Sequence, residues 1–113
     1  MDVERYKKCD RIIDPLREAM FQINRAGLVK EDRDYAVGLL NNARVWLRFM
    51  EDRGECEDLI IRVGGWIDEL AEAVEDPLEW NDKYNEIFPA LIDLVFRSFL
   101  ECYEGRRWGD VPP

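Results

Sequence analysis

The chain has no histidine and no threonine, and Ser98 is its only serine. Those gaps exclude a good deal of chemistry. Ser-His-Asp and Cys-His hydrolysis, histidine proton shuttling and ordinary zinc hydrolysis all need residue types that are missing. Any catalysis would fall to carboxylates and a hard metal ion. Cysteine is also sparse: Cys9, Cys56 and Cys102 are three widely spaced residues, with no C-x-x-C pair and no histidine to complete a zinc site. Each falls near an apolar helical face, so we expect three small buried hydrophobes. No apolar run approaches the roughly 18 residues of a membrane span. The opening Met1-Asp2-Val3-Glu4-Arg5 has neither the basic region nor the apolar stretch of a secretory signal. The expected setting is cytoplasmic.

What the chain does contain fits one globular domain. Its 113 residues are 47% hydrophobic and 36% charged, so a sizeable core must sit beneath strongly solvated faces. The net charge of −9 is unevenly spread. Residues 1–33 hold eight bases against seven acids, whereas residues 51–104 hold four against sixteen, a local net of −12. The second half repels a phosphate backbone and argues against direct nucleic-acid binding. It suits a basic partner, a divalent cation or solubility alone.

The punctuation predicts an all-α fold: a compact four-helix, bundle-like domain over residues 1–104, with short turns and an irregular tail at 105–113. Alternating strand patterns are absent. The first helix runs from about Asp2 to Ala26, with Tyr6, Cys9, Ile13, Leu16, Met20 and Ile23 along one face. Gly27 is read as its left-handed terminus, and Asp14-Pro15 as a kink or a capped restart. The second spans Glu31 to Arg53, with Tyr35, Leu39, Ala43, Trp46 and Met50 inward and Gly54 as its stop. The third spans Glu55 to Glu75, with Leu59, Val63, Trp66, Ile67, Leu70 and Val74 inward. Its Gly64-Gly65 pair suggests close approach of a neighbour or a bend. The fourth begins at Asp76-Pro77-Leu78-Glu79, where Asp caps, proline takes the first turn and Glu79 can return to the cap's amide. It continues to about Glu104, with Gly105 as its stop and a kink at Pro89.

The fourth helix carries more apolar surface than one buried face needs. Trp80, Tyr84, Ile87, Phe88, Leu91, Val95 and Phe99 make a core stripe, and Ile92, Phe96 and Tyr103 extend it, with Leu100 beyond them. An outer helix needs an apolar arc only a little over about 100° wide. Either this helix is the centre of the bundle, or Ile92, Phe96, Phe99 and Tyr103 form a partner surface, most simply a twofold homodimer contact.

Acids supply the second constellation. Asp68, Glu69 and Glu72 read Asp-Glu-x-x-Glu on the third helix, and Asp93 lies on the fourth. Carboxylates at such spacing on paired helices can hold Mg²⁺ or Mn²⁺. Over residues 66–96 this resembles the MazG-type nucleotide pyrophosphohydrolases, all-helical enzymes that bind magnesium through Glu-Glu-x-x-Glu and Glu-x-x-Asp. Asp68 stands for the first Glu, Glu69 and Glu72 match, Asp93 matches the final Asp, and Ala90 replaces the remaining Glu. The resemblance implies Mg-dependent nucleotide hydrolysis at Asp68, Glu69, Glu72 and Asp93. The bland alternative is a solvated acidic face with Asp93–Arg97 as an i,i+4 pair. In the tail, Arg106-Arg107-Trp108 is either a docking element or a segment that folds over the acidic body.

Three functions are compatible with these residues. The first is a non-enzymatic protein-interaction module, an adaptor or regulator that acts through the fourth helix without catalytic residues or cofactor. The second is the MazG-like hydrolase. The third is an acidic mimic that occupies a nucleic-acid-binding protein's basic groove.

Overall fold

The computed structural model describes residues 3–29, 31–51 and 57–104. Cys56, the expected boundary at Arg53, Gly54 and Glu55, and the tail with Gly105, Arg106, Arg107 and Trp108 lie outside the described residues, as does the side chain of Tyr6. Within them are four α-helices and a terminal π turn: α1 (Val3–Leu28), α2 (Arg33–Glu51), α3 (Glu57–Ala73), α4 (Pro77–Phe99) and the π turn Leu100–Glu104. Among the described residues there is no strand, and no helix is long and apolar enough to cross a membrane.

Side-chain pairs fix the directions of the helices. On α1, Cys9, Asp10 and Asn24 meet Cys102, Tyr103 and Tyr84, so α1 and α4 are antiparallel. Arg33 and Arg44 reach Glu75 and Asp68, which sets α2 antiparallel to α3, and Lys83 on α4 reaches back to Glu69 on α3. Each helix packs mainly on two others, α1 on α2 and α4, and α3 on α2 and α4. The result is an up-down-up-down ring in which α4 is a peripheral member and not the centre.

The core lies where the four apolar faces converge. Leu16, Ala19 and Ile23 of α1 meet Leu40, Ala43 and Leu47 of α2, Val63, Ile67 and Leu70 of α3, and Trp80, Ile87 and Leu91 of α4. On α2 the buried line is Ala36, Leu39, Leu40, Ala43, Leu47 and Met50. Tyr35, expected inward, is exposed and accepts a hydrogen bond from Arg25 at 2.9 Å. On α4, Leu94 is buried and Phe99 exposed, so the core face is rotated slightly from the expected stripe.

Local chemistry sets the helix starts. Asp32 accepts from the Tyr35 amide at 3.1 Å to open α2. Asp76, with extended backbone, accepts from the amides of Leu78 and Glu79 at 3.0 and 3.4 Å, and Pro77 follows where an amide proton is dispensable. The reciprocal half of the expected box is replaced: the Asp76 amide donates to the Ala73 carbonyl at 3.1 Å.

The Gly27 expectation is corrected, and at Gly64-Gly65 and at Pro15 one of two alternatives is removed. α1 continues through Gly27 to Leu28, so Gly27 does not end it. Its role is steric, because a Cβ there would stand 2.3 Å from the Tyr84 ring. Gly64 and Gly65 have nothing within 4 Å of such a Cβ, so no neighbour approaches closely at that pair. Pro15 lies inside a continuous α1, without the restart at Asp14, whose carboxylate instead pairs with Arg17 at 3.3 Å.

Candidate functional site

The outer face of α4 holds the surplus apolar surface. Ile92, Phe96 and Phe99 are 47, 48 and 42% exposed, although each lies only one turn from the next. The core beneath is already filled by Ile87, Leu91 and Leu94, which leaves these three no inward space. Tyr103, grouped with them by its spacing, is half-buried; its ring packs on Phe99 at 4.8 Å and its phenol donates to the Asp10 carboxylate. The structure therefore brings all four expected interface residues to one surface, with Tyr103 tied back to α1.

These side chains form one wall of a groove of about 480 Å³ between α4 and α1. Asp10, Ile13, Asp14, Arg17 and Met20 form its α1 rim, and Val95 of α4 completes the lining. The rim was not anticipated from sequence. Its signal was present, since Asp10, Asp14, Arg17 and Met20 follow each other at four- and three-residue steps along one edge of α1, with Ile13 four residues before Arg17.

Tyr103 marks the groove's end electrostatically. Its phenol pKa is raised well above the usual tyrosine value, first by burial, then by the hydrogen bond to Asp10 and the negative charge of Asp10 and Asp14. The proton therefore stays on Tyr103 and keeps the bridge from α1 to the π turn.

Beside that bridge, Cys9 and Cys102 form a disulfide across 93 residues of sequence, with Cα atoms 5.6 Å apart. This corrects the expectation of separate buried hydrophobes at Cys9 and Cys102. The sequence offered no register for α1 against α4, and only that register brings residues 9 and 102 together.

The acidic constellation is dispersed. Asp68 pairs with Arg44, Glu69 approaches Lys83 at 3.8 Å, and Glu72 is exposed. Asp93 pairs with Arg97 at 2.9 Å, as the i,i+4 spacing allows. In the antiparallel hairpin Lys83 lies near Glu69, and Asp93 is ten residues further along α4, a rise of about 15 Å away from that level. Among the described residues no three acids or cysteines are grouped so as to hold a metal ion.

Comparison with known protein families, characterised proteins and solved structures finds no match. The MazG-type resemblance thus rests on its partial motif alone.

Proposed function

We propose that this chain is a non-enzymatic protein-interaction module that associates with a second copy of itself through the groove between α1 and α4. The observation that carries the proposal is the exposure of Ile92, Phe96 and Phe99 on successive turns above a filled core. Each large apolar side chain left in water forgoes roughly 1.5–3 kcal/mol of burial.

Charge favours a second copy as the occupant. Residues 1–33 are nearly balanced, with Lys7, Lys8 and Arg11 on the exposed side of α1 and Arg17 paired with Asp14, whereas residues 51–104 carry a net of −12. A twofold contact with its axis along the groove would set α1 of each copy against α4 of the other, so a pairing of the balanced half with the acidic half would occur twice. Contact between the two acidic halves would instead repel. A cytoplasmic setting belongs to the same proposal.

Sedimentation equilibrium over a wide concentration range tests it. A reversible monomer–dimer equilibrium is expected; a monomer at every concentration would remove the proposal.

A further inference from the structure

Both sides of the groove's closed end adjoin the disulfide. Cys9 precedes Asp10 and Cys102 precedes Tyr103, and these two neighbours bridge the end through the phenol–carboxylate hydrogen bond. Phe99, a wall residue, packs on the same tyrosine ring. The covalent link therefore sets the spacing of α1 and the π turn at the place where the groove ends.

The two cysteines are unequally exposed. Cys9 is 1% exposed, whereas Cys102 is half-buried and lines a separate cavity of about 690 Å³ with Ile12, Leu59, Arg62, Leu94 and Arg97. Leu94, Arg97 and Glu101 of that cavity lie on the side of α4 and its continuation opposite Ile92, Phe96 and Phe99. A small reductant thus reaches Cys102 without entering the docking groove, and an occupied groove does not shield the bond.

We infer that the Cys9–Cys102 disulfide is a redox control on the α1–α4 docking groove: the closed bond holds the groove in its associating form, and reduction releases the π turn and weakens association. The inference rests on the self-association proposed above. The chemistry is ordinary thiol–disulfide exchange with a dithiol as reductant. A thiolate of the dithiol attacks Sγ of Cys102, the bond to Cys9 breaks, and Cys9 leaves as a thiolate that takes a proton from water. The second thiol then attacks the mixed disulfide, frees Cys102 and leaves the dithiol oxidised, a two-electron exchange. Reducing compartments keep most thiols open, so in the proposed cytoplasmic setting the groove would follow the redox poise.

The test uses the full chain carrying Cys56→Ala, so that Cys9 and Cys102 are its only thiols. Oxidised and dithiothreitol-reduced samples are compared by free-thiol titration, sedimentation equilibrium and amide hydrogen exchange. Reduction is expected to raise the dimer Kd at least about tenfold, a change of 1.4 kcal/mol, and to speed exchange at Leu100–Glu104. Ala19–Ala26, inside the core, serves as the reference: its exchange should speed up only as far as the global loss of stability requires. A further Cys9→Ala/Cys102→Ala variant should behave as the reduced form with or without dithiothreitol. Free thiols in the oxidised sample, or equal Kd and equal exchange after the bond opens, would overturn the inference. If neither form dimerises, the self-association proposal falls alone: faster exchange at Leu100–Glu104 would still support redox control of the groove wall, and unchanged exchange would remove that as well.

Discussion

Gly27 lies against the hydroxyl end of the Tyr84 ring, and the absence of a side chain there lets α1 and α4 close on each other. The Tyr84 ring has little freedom to retreat. It is stacked between Trp80 and Phe88, at 6.1 and 5.2 Å, and its hydroxyl donates to Asn24 at 3.4 Å. Gly27→Ala should destabilise the fold by about 1–3 kcal/mol through overpacking. Most of that loss should disappear in a Tyr84→Ala background, which thermal unfolding of the double-mutant cycle would measure. The opposite sign is expected at Gly65, exposed inside α3 with nothing near its missing Cβ. Gly65→Ala should stabilise by up to about 1 kcal/mol, since alanine is the better helix former and restricts the unfolded chain. Tyr103 adds a pH dependence. Its folded pKa is raised, so its stabilising contribution is complete below the unfolded value of about 10 and is lost as pH rises through the folded value. Thermal stability should fall above roughly pH 10, less steeply in Tyr103→Phe. Some fall should remain from Tyr84, whose pKa burial also raises.

At the scale of the elements, the start of α4 was readable because a cap is a local device, whereas the Asp32 cap of α2 was not read and its start was placed two residues early. Asp76-Pro77 needs only its own next turn to work, and Asp76→Ala should cost about 1 kcal/mol in denaturant unfolding. Gly27, Tyr35 and the cysteines were misread for the contrary reason. Whether a helical glycine ends its helix or admits a neighbour depends on what packs there, and Tyr84 is 57 residues away in the chain. The pairing of Cys9 with Cys102 likewise depends on the antiparallel register of α1 and α4. Of the candidate site, the α4 wall was legible, because apolar residues beyond one face's needs stand out on a helical wheel. The α1 rim was not, because a mixed charged and apolar edge looks like any solvated boundary until a second helix lies beside it.

For the whole molecule, the ring of four helices separates what one chain can cover from what it leaves open. α4 touches α1 and α3 and so buries Ile87, Leu91 and Leu94, while Ile92, Phe96 and Phe99 face the groove. The disulfide encloses nearly the whole described fold, and opening it should lower stability by about 2–4 kcal/mol. That is within the margin of a domain this size, so the reduced chain should remain helical. The acids, by contrast, are spread among separate basic partners, and calorimetric titration with Mg²⁺ should show only weak binding, unaltered in kind by Glu72→Gln or Asp93→Asn. The central claim is that the α4 face is an interface and not core, and Phe96→Glu tests it most directly, by sedimentation equilibrium paired with circular dichroism. In a twofold contact one added charge enters the interface twice. The account predicts a wild-type dimer and a Phe96→Glu monomer of equal helicity; a variant that loses its helicity, beside a wild type that already sediments as a monomer, would contradict it.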